Sequence, residues 1–299
     1  MDSVLVYVNK HAHHLDSLHI SSSTTASAEF VQLPSNLQAS SLKLGNLWLQ
    51  LQPGRGCRGV LVCTKLKQLQ LRDCRLLDDE PDEALTAALS QLPDLEHLNI
   101  SFDGGWVWRL GAVSLSMLLP LQQLTYLELS FFDILAYDPA TSALQPLQAL
   151  TRLMDLRLDW LGPADVMRVT ASCLSGTTNL TRLECSGGHF EPGVLAGKSQ
   201  LQHLQLSHLR TSAGAAGEAQ LLSHLPPLQQ LTHLDLTHSL RAVEEGSPPA
   251  AAYSAIAAST KLQHLNIMGC LLPVGVWQHL FPPGRQLPHL TSLCIAMVS

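Results

Sequence analysis

The chain has 299 residues, a formal net charge of −6, and charged residues at only 14% of the total. Its 18 lysines and arginines are spread thinly, and without a basic run to neutralise phosphates nucleic acid is excluded as an expected partner. No stretch approaches the roughly 18 consecutive apolar residues of a membrane span. Because aromatic residues make up only 5% and Leu dominates the apolar 46%, the core must be aliphatic.

The cysteines and the first residues indicate a compartment. The segment MDSVLVYVNKHAHH lacks the charged region, apolar core and cleavage site of a secretory signal peptide. Seven cysteines, an odd number, are scattered without a CxxC pair. This pattern favours reduced thiols over a disulfide framework, so we expect a cytoplasmic protein.

A Leu-x-x-Leu-x-Leu segment recurs through the chain. Its clear copies begin at Leu66, Leu95, Leu124, Leu153, Leu180, Leu201, Leu231, Leu262 and Leu290. They start 29, 29, 29, 27, 21, 30, 31 and 28 residues apart, and weaker copies begin at Leu15 and Ala39. A period of roughly 20–50 residues is typical of repeat architectures, and about eleven units account for almost the whole sequence.

The repeat also predicts the secondary structure of each unit. Each Leu-x-Leu alternation predicts a short strand, because strand side chains alternate between two faces and the leucines then share one. In the return segments, PDEALTAALSQLP predicts a helix from Pro81 that ends before Pro93. Its apolar stripe consists of Ala84, Leu85, Ala88, Leu89 and Leu92.

Two later return segments differ in kind. PADVMRVTASCL predicts a second helix from Pro163, with one apolar face. That face consists of Val166, Val169, Thr170 and Cys173. The 21-residue unit, which contains LECSGGHFEPGVLAGKSQ, is too short and too Gly-rich for a full helix, so we expect an irregular return or a recognition loop there.

These units resemble the leucine-rich repeat family, and their length is similar to that of its long, ribonuclease-inhibitor-like intracellular type. The resemblance implies an α/β fold: a solenoid, or horseshoe, with a parallel sheet on its concave side and a mostly helical convex side. It implies one domain over residues 1–299. Because neither end shows the polar cap that a solenoid needs, we expect truncated or uncapped ends.

One position departs from the family pattern. The ninth residue of each unit, usually Asn or Cys in the family, is Cys74 and Cys270 in two units but varies in the others. An asparagine ladder is therefore absent, and we expect the backbone groups of the loops to find other partners.

Positions three, five and seven of each unit point away from the leucines and form columns across the sheet. Column three contains the candidates Tyr126, Arg182, His203, His233 and His264, and column five contains Arg157. Position eight holds Phe102, Phe131 and Trp160 in three consecutive units.

Trp, Tyr and Arg are enriched among interface residues that dominate binding energy, so the aromatic and Arg residues of this set predict a partner-binding surface. The alternative is that the rings at position eight pack beneath the loops. For the three histidines, a metal site is disfavoured because a row on a nearly flat sheet does not converge tetrahedrally. A pH-sensitive surface and a plain polar surface both stay open.

No HExxH, GxSxG or GxGxxG motif occurs, and Gly197-Lys198-Ser199 lacks the upstream glycine of a phosphate loop. The sequence therefore predicts a non-enzymatic scaffold without a cofactor, which binds an unknown protein partner on its concave face and adjoining loops. The resemblance also allows a substrate-receptor subunit of an F-box-type ubiquitin ligase, a GTPase-activating regulator, or part of an immune-type receptor.

Overall fold

The computed structural model describes residues 14–21, 37–49, 65–76, 81–101, 115–131, 144–160, 168–210, 214–240, 249–283 and 287–296. The chain divides into two compact units, Met1–Ala136 and Tyr137–Ser299. In both, the recurring leucine segments form parallel strands, as the sequence predicts.

The main sheet of the first unit has the order β1-β2-β4-β6-β7. Its strands are β1 (Ser17–Ser21), β2 (Ser41–Gly45), β4 (Gln68–Arg72), β6 (His97–Ser101) and β7 (Tyr126–Phe131). The short strands β3 (Trp48–Leu49) and β5 (Arg75–Leu76) pair with each other. The return segments contain helix α1 (Pro81–Leu89) and a 3-10 helix at Leu115–Leu118.

The main sheet of the second unit has the order β8-β10-β12-β13-β14-β15. Its strands are β8 (Asp155–Trp160), β10 (Arg182–Ser186), β12 (His203–Ser207), β13 (His233–Asp235), β14 (His264–Asn266) and β15 (Ser292–Cys294). The short strands β9 (Arg168–Val169) and β11 (His189–Phe190) pair with each other. The return segments contain α2 (Gly214–Ser223), α3 (Ser254–Ala257), α4 (Trp277–Leu280) and 3-10 helices at Gln145–Ala149, Pro192–Leu195 and Ala250–Tyr253.

The leucines of the repeat form the core. Along β8 and β10, buried residues alternate with half-buried ones, as expected for strands with one apolar face. Leu156, Leu183 and Leu204, at the same position of neighbouring strands, are 0% exposed. Burying a leucine side chain contributes about 1.5–3 kcal/mol, so this repeated position is a main source of stability.

The resemblance implies a mostly helical convex side, but the described return segments also contain short strands and 3-10 helices. Helix α1 confirms the prediction from PDEALTAALSQLP, and its predicted stripe, from Ala84 to Leu92, is buried. The helix predicted from Pro163 is wrong over its described residues, because Arg168–Val169 is strand β9 and turns follow it. Adjacent β-branched residues, Val169 and Thr170, favour the extended conformation there. The ribonuclease-inhibitor-like type stays a prediction.

Three short side chains at position nine replace the missing asparagine ladder. The Cys74 thiol donates to the Leu44 carbonyl over 3.3 Å, and the Cys270 thiol donates to the Leu236 carbonyl over 3.0 Å. The Ser239 hydroxyl donates to the carbonyl of Leu206. Each bond reaches back to the preceding unit, so thiols and a hydroxyl satisfy buried carbonyls that an asparagine amide satisfies in the family pattern.

Position eight supplies a turn that recurs at the end of the strands. The backbone has positive φ at Asn46, Asp73, Gly187, His208, His238 and Gly269. Gly and Asn, and less readily Asp and His, tolerate this left-handed conformation. At this position the N–H groups of His208 and His238 donate to the carbonyls of Thr237 and Met268 in the following unit. The structural role of His238 is therefore a left-handed turn.

Gly187 combines this turn with a close backbone approach, which generates a stability prediction. Its φ is +75°, and a Cβ added there would lie 2.3 Å from the Trp160 carbonyl oxygen. Gly197 also has a φ of +75°, but an added Cβ would meet nothing within 4 Å. Both Gly→Ala variants lose about 1 kcal/mol to the left-handed backbone, and Gly187→Ala loses about 2 kcal/mol more through the clash.

Chemical denaturation of the two variants measures this difference directly. Because the backbone cost is shared, Gly197→Ala is the matched control. Equal losses in the two variants would contradict the close packing of Gly187 against Trp160.

Candidate functional site

The strand register in the second unit brings the predicted outward residues together. Arg182 is paired with Asp155 on one side and with His203 on the other. His233 is paired with His203 and with His264. The predicted column three is confirmed over these strands. We call the outward-facing residues of β8, β10, β12, β13, β14 and β15 the strand face.

Three imidazole rings stack along the strand face, and we call His203, His233 and His264 the histidine ladder. The ring centroids of His203 and His233 are 5.2 Å apart, with an interplanar angle of 27°. Those of His233 and His264 are 4.2 Å apart, with an angle of 21°. Because the rings lie nearly parallel and half-buried, the ladder presents an ordered row of polar ring edges.

Thr232 determines the tautomer of the central histidine. Its hydroxyl lies 3.0 Å from the Gln202 carbonyl oxygen, to which it donates its single proton. The same oxygen lies 2.8 Å from Nδ1 of His233. Nδ1 must therefore carry the proton and donate to Thr232. In the neutral ring, Nε2 of His233 is then a hydrogen-bond acceptor.

A network of four charged side chains lies beside the ladder, and we call Asp155, Arg157, Arg182 and Glu184 the ionic cluster. Arg157 contacts Asp155 through two bonds of 3.2 Å, from Nε to Oδ1 and from Nη2 to Oδ2. Its Nε also lies 3.6 Å from Oε2 of Glu184. Nε of Arg182 donates to Oε1 of Glu184 over 2.6 Å. Glu184 thus holds both guanidinium groups in place.

Glu184 stays ionised because its cationic neighbours outweigh its burial. Burial raises the pKa of this carboxyl, but His203, Arg182 and Arg157 together lower it from 4.5 to about 2. Nε2 of His203 lies 3.2 Å from Oε1 of Glu184, an ion pair when the imidazole is protonated, although the ring N–H direction does not meet hydrogen-bond geometry.

The central histidine of the ladder is disfavoured as a cation. Burial lowers the pKa of His233, and the neighbouring His264, His203 and Arg182 lower it further. Stacked imidazolium ions repel each other at these distances, so His233 stays neutral at pH 7.

Asp235 lies beside the ladder on strand β13. Its Oδ1 accepts hydrogen bonds from the backbone N–H of Thr237 over 2.8 Å and from the Thr237 hydroxyl over 2.6 Å. Its Oδ2 accepts from the side-chain amide of Asn266 over 2.9 Å. These donors carry no formal charge, so they orient the carboxylate without neutralising its negative charge.

Of the predicted aromatic residues, Trp160 and Tyr126 have described side chains. The side chain of Trp160 is 2% exposed, which places it in the core, as the packing alternative states. Tyr126 lies in the first unit, where its hydroxyl donates to Glu128 and its ring stacks on His97 at 5.8 Å. Phe102 and the side chain of Phe131 lie outside the described residues.

Two other features bear on the chemistry of the site. Among the described residues, no group of three or more His, Cys, Asp or Glu side chains is arranged to hold a metal ion. Lys198 is 2% exposed and donates to the Leu174 carbonyl. This lysine therefore supports the core.

The threonine beside the histidine ladder belongs to a recurring position of the repeat, which the sequence analysis above missed. Thr recurs at position two of four units, as Thr125, Thr181, Thr232 and Thr291. Each hydroxyl donates to the position-two carbonyl of the preceding unit. This conformation places Thr232 against the ring of His233.

The lowered pKa of Glu184 generates a prediction about stability and pH. A carboxyl with a depressed folded pKa contributes stability that is present above pH 4.5 and lost as the pH falls toward about 2. Glu184→Gln lowers the free energy of unfolding at pH 7 by about 1–2 kcal/mol, because charge-assisted hydrogen bonds are lost. The difference from the parent chain shrinks between these two pH values.

Thermal melts of both chains across this range measure the effect. The matched control is Glu96→Gln, which removes an exposed ion pair with Lys67 and changes stability by less than about 0.5 kcal/mol. A Glu184→Gln difference that does not vary with pH would contradict an ionised, paired Glu184.

No helix among the described residues has the length and apolarity needed to cross a bilayer.

Comparison with known proteins finds similarity at the level of structure. No family model and no curated protein matches the sequence. An internalin from Listeria monocytogenes str. 4b F2365 matches with a TM-score of 0.52 and 16% identity, over 97% of this chain and 84% of that chain. A leucine-rich repeat protein of Leptospira interrogans matches with a TM-score of 0.46 and 15% identity, over 98% and 81%. The first likeness and the register of the strands together show that this chain has the leucine-rich repeat fold.

Proposed function

We propose that this chain is a non-enzymatic scaffold that binds another protein through its concave face and adjoining loops, with the strand face of the second unit as the principal contact. The observation that carries the proposal is the contrast between the two sides of the strands. The buried side repeats leucine, whereas the outward side carries the histidine ladder and the ionic cluster.

The contact residues that we propose are Arg157, Arg182 and the histidine ladder. Arg157 and Arg182 are held by Asp155 and Glu184, and the ladder by ring stacking. Side chains that are already ordered lose less conformational entropy on binding, so such a surface binds with a smaller entropic cost. Trp160 supports this surface from the core and is not part of the contact set.

The ionisation of the cluster supports a role without catalysis. A general acid or base works best when its pKa lies near the working pH. The pKa of Glu184 is lowered to about 2, and the carboxylate is occupied by Arg182 and Arg157. This arrangement suits a fixed charge pattern better than proton transfer.

We also propose a cytoplasmic location. The described cysteines Cys74, Cys173, Cys185 and Cys270 are buried free thiols, and Cys294 is an exposed free thiol. Burial raises the pKa of Cys185, which keeps that thiol protonated and unreactive. Thiols that pack in the core or donate to carbonyls fit a reducing compartment.

Replacing outward histidines tests the proposed contact surface. We expect His233→Ala with His264→Ala to abolish capture of the partners that the full chain retains from a cytosolic extract. The thermal melt should change little, because both rings are partly exposed. Quantitative mass spectrometry of the captured proteins measures the loss.

The matched control is His224→Ala with His279→Ala. These histidines are similarly half-buried but lie in return segments of the second unit, so this variant should capture the same partners. Equal capture by both double variants would contradict the proposed surface. Faster GTP hydrolysis by small GTPases in the presence of the chain would favour the GTPase-activating alternative.

A further inference from the structure

We infer that the partner segment recognised by the strand face is cationic, a Lys/Arg-rich stretch of protein that binds at neutral pH and is released on acidification. This inference rests on the proposed function and specifies the partner. It follows from three observations: the charge of the face, the carboxylate of Asp235 with its neutral described donors, and the acceptor edge of His233.

The outward positions of the described strands in the second unit carry more carboxylates than guanidinium groups. The carboxylates are Asp155, Asp159, Glu184 and Asp235, and the guanidinium groups are Arg157 and Arg182. With neutral histidines the face therefore has a net charge of −2. Opposite potentials across an interface favour encounter and suppress wrong partners, so this face selects a cationic segment.

Asp235 is the anchor for the cation. Among the described residues, its three hydrogen-bond donors come from Thr237 and Asn266 and carry no formal charge. An ionised carboxylate offers about four acceptor positions, so about one is left for a Lys or Arg of the partner. Glu184, by contrast, is already paired with Arg182 and Arg157, which makes it a weaker site for a further cation.

The ladder contributes a second acceptor on the same strand, two residues before Asp235. Because Thr232 fixes the Nδ1-protonated tautomer, Nε2 of His233 accepts a hydrogen bond from the partner's N–H groups. The lowered pKa of His233 keeps this lone pair available at neutral pH.

Acidification reduces the negative charge of the same surface. Among the described residues, the charged groups around the ladder are the ionic cluster on β8 and β10 and Asp235 on β13; β15 contributes Ser292 and Cys294 at the paired positions. Each protonated ring of the ladder adds one positive charge to the face, and protonation of His233 takes its net charge from −2 to −1. The acceptor at Nε2 of His233 is lost in the same step. Both changes oppose a cationic partner.

Fluorescence polarisation with labelled peptides tests the inference on the full chain at low ionic strength. The probes are an oligolysine and an oligoglutamate of equal length. We expect oligolysine to bind at about pH 7.5 and to bind about tenfold more weakly at about pH 5, because the lowered pKa of His233 places its protonation below the ordinary range of histidine. Oligoglutamate should bind more weakly than oligolysine at the higher pH. Added salt should weaken oligolysine binding, since exposed charges are screened.

Two sets of variants locate the effect. Asp235→Asn should weaken oligolysine binding at the higher pH about tenfold, whereas Asp94→Asn, an exposed carboxylate in the first unit, should leave it within about twofold. The triple variant His203→Gln, His233→Gln and His264→Gln should bind oligolysine with an affinity that varies by less than about twofold between the two pH values. If Asp235→Asn lowers the melting temperature, its weaker binding could come from lost structure. The pH dependence of oligolysine binding by the triple variant then tests the inference instead.

Three outcomes would overturn the inference: no preference for oligolysine over oligoglutamate at neutral pH, equal losses in Asp235→Asn and Asp94→Asn with both chains folded, or an unchanged acid-induced loss in the triple variant. These outcomes leave the proposed function intact if the His233→Ala and His264→Ala chain still fails to capture partners. Retained capture by that chain would instead contradict the proposed function itself.

Discussion

The stacking of one leucine-bearing strand on the next is the interaction on which the rest of the structure depends. Leu265 and Ile267 lie between neighbouring strands and are 1% and 0% exposed. Leu293 and Ile295, at the equivalent positions of the last described strand, are 41% and 36% exposed. The apolar side of a described strand is therefore buried in large part by the strand that follows it, which ties stability to the repeat and to in-register pairing.

In-register stacking also creates the chemistry of the strand face. Residues about thirty positions apart in sequence become neighbours, so a histidine in each of three units becomes a stacked ladder. The same register places Glu184 between Arg157 and Gln205, and Nε2 of His203 lies 3.2 Å from its Oε1. Charge and tautomer are then determined by contacts between units: Glu184 is kept ionised by its cationic neighbours, and His233 is kept neutral by burial and by its own column.

Much of this arrangement could be predicted from periodicity, and the failures have physical causes. The strands, the columns and helix α1 follow from the alternation of leucine and the apolar stripe from Ala84 to Leu92. The helix predicted over residues 163–174 is wrong over its described part, 168–174, because an apolar stripe does not distinguish a helix from a short strand where β-branched residues adjoin, as at Val169. Trp160 resembled an interface anchor because exposure cannot be determined from residue type.

The sequence by itself determined the repeat, the parallel strands and the identity of the outward residues, because hydrophobic periodicity depends only on the order of side chains. Only the tertiary structure decided which atoms meet: the Thr232 hydroxyl at the ring of His233, the two arginines at Glu184, and the carbonyl of Trp160 against Gly187. Those contacts depend on side-chain rotamers and on backbone conformation at position eight. Both are set when the units pack together, so the sequence of a single unit does not determine them.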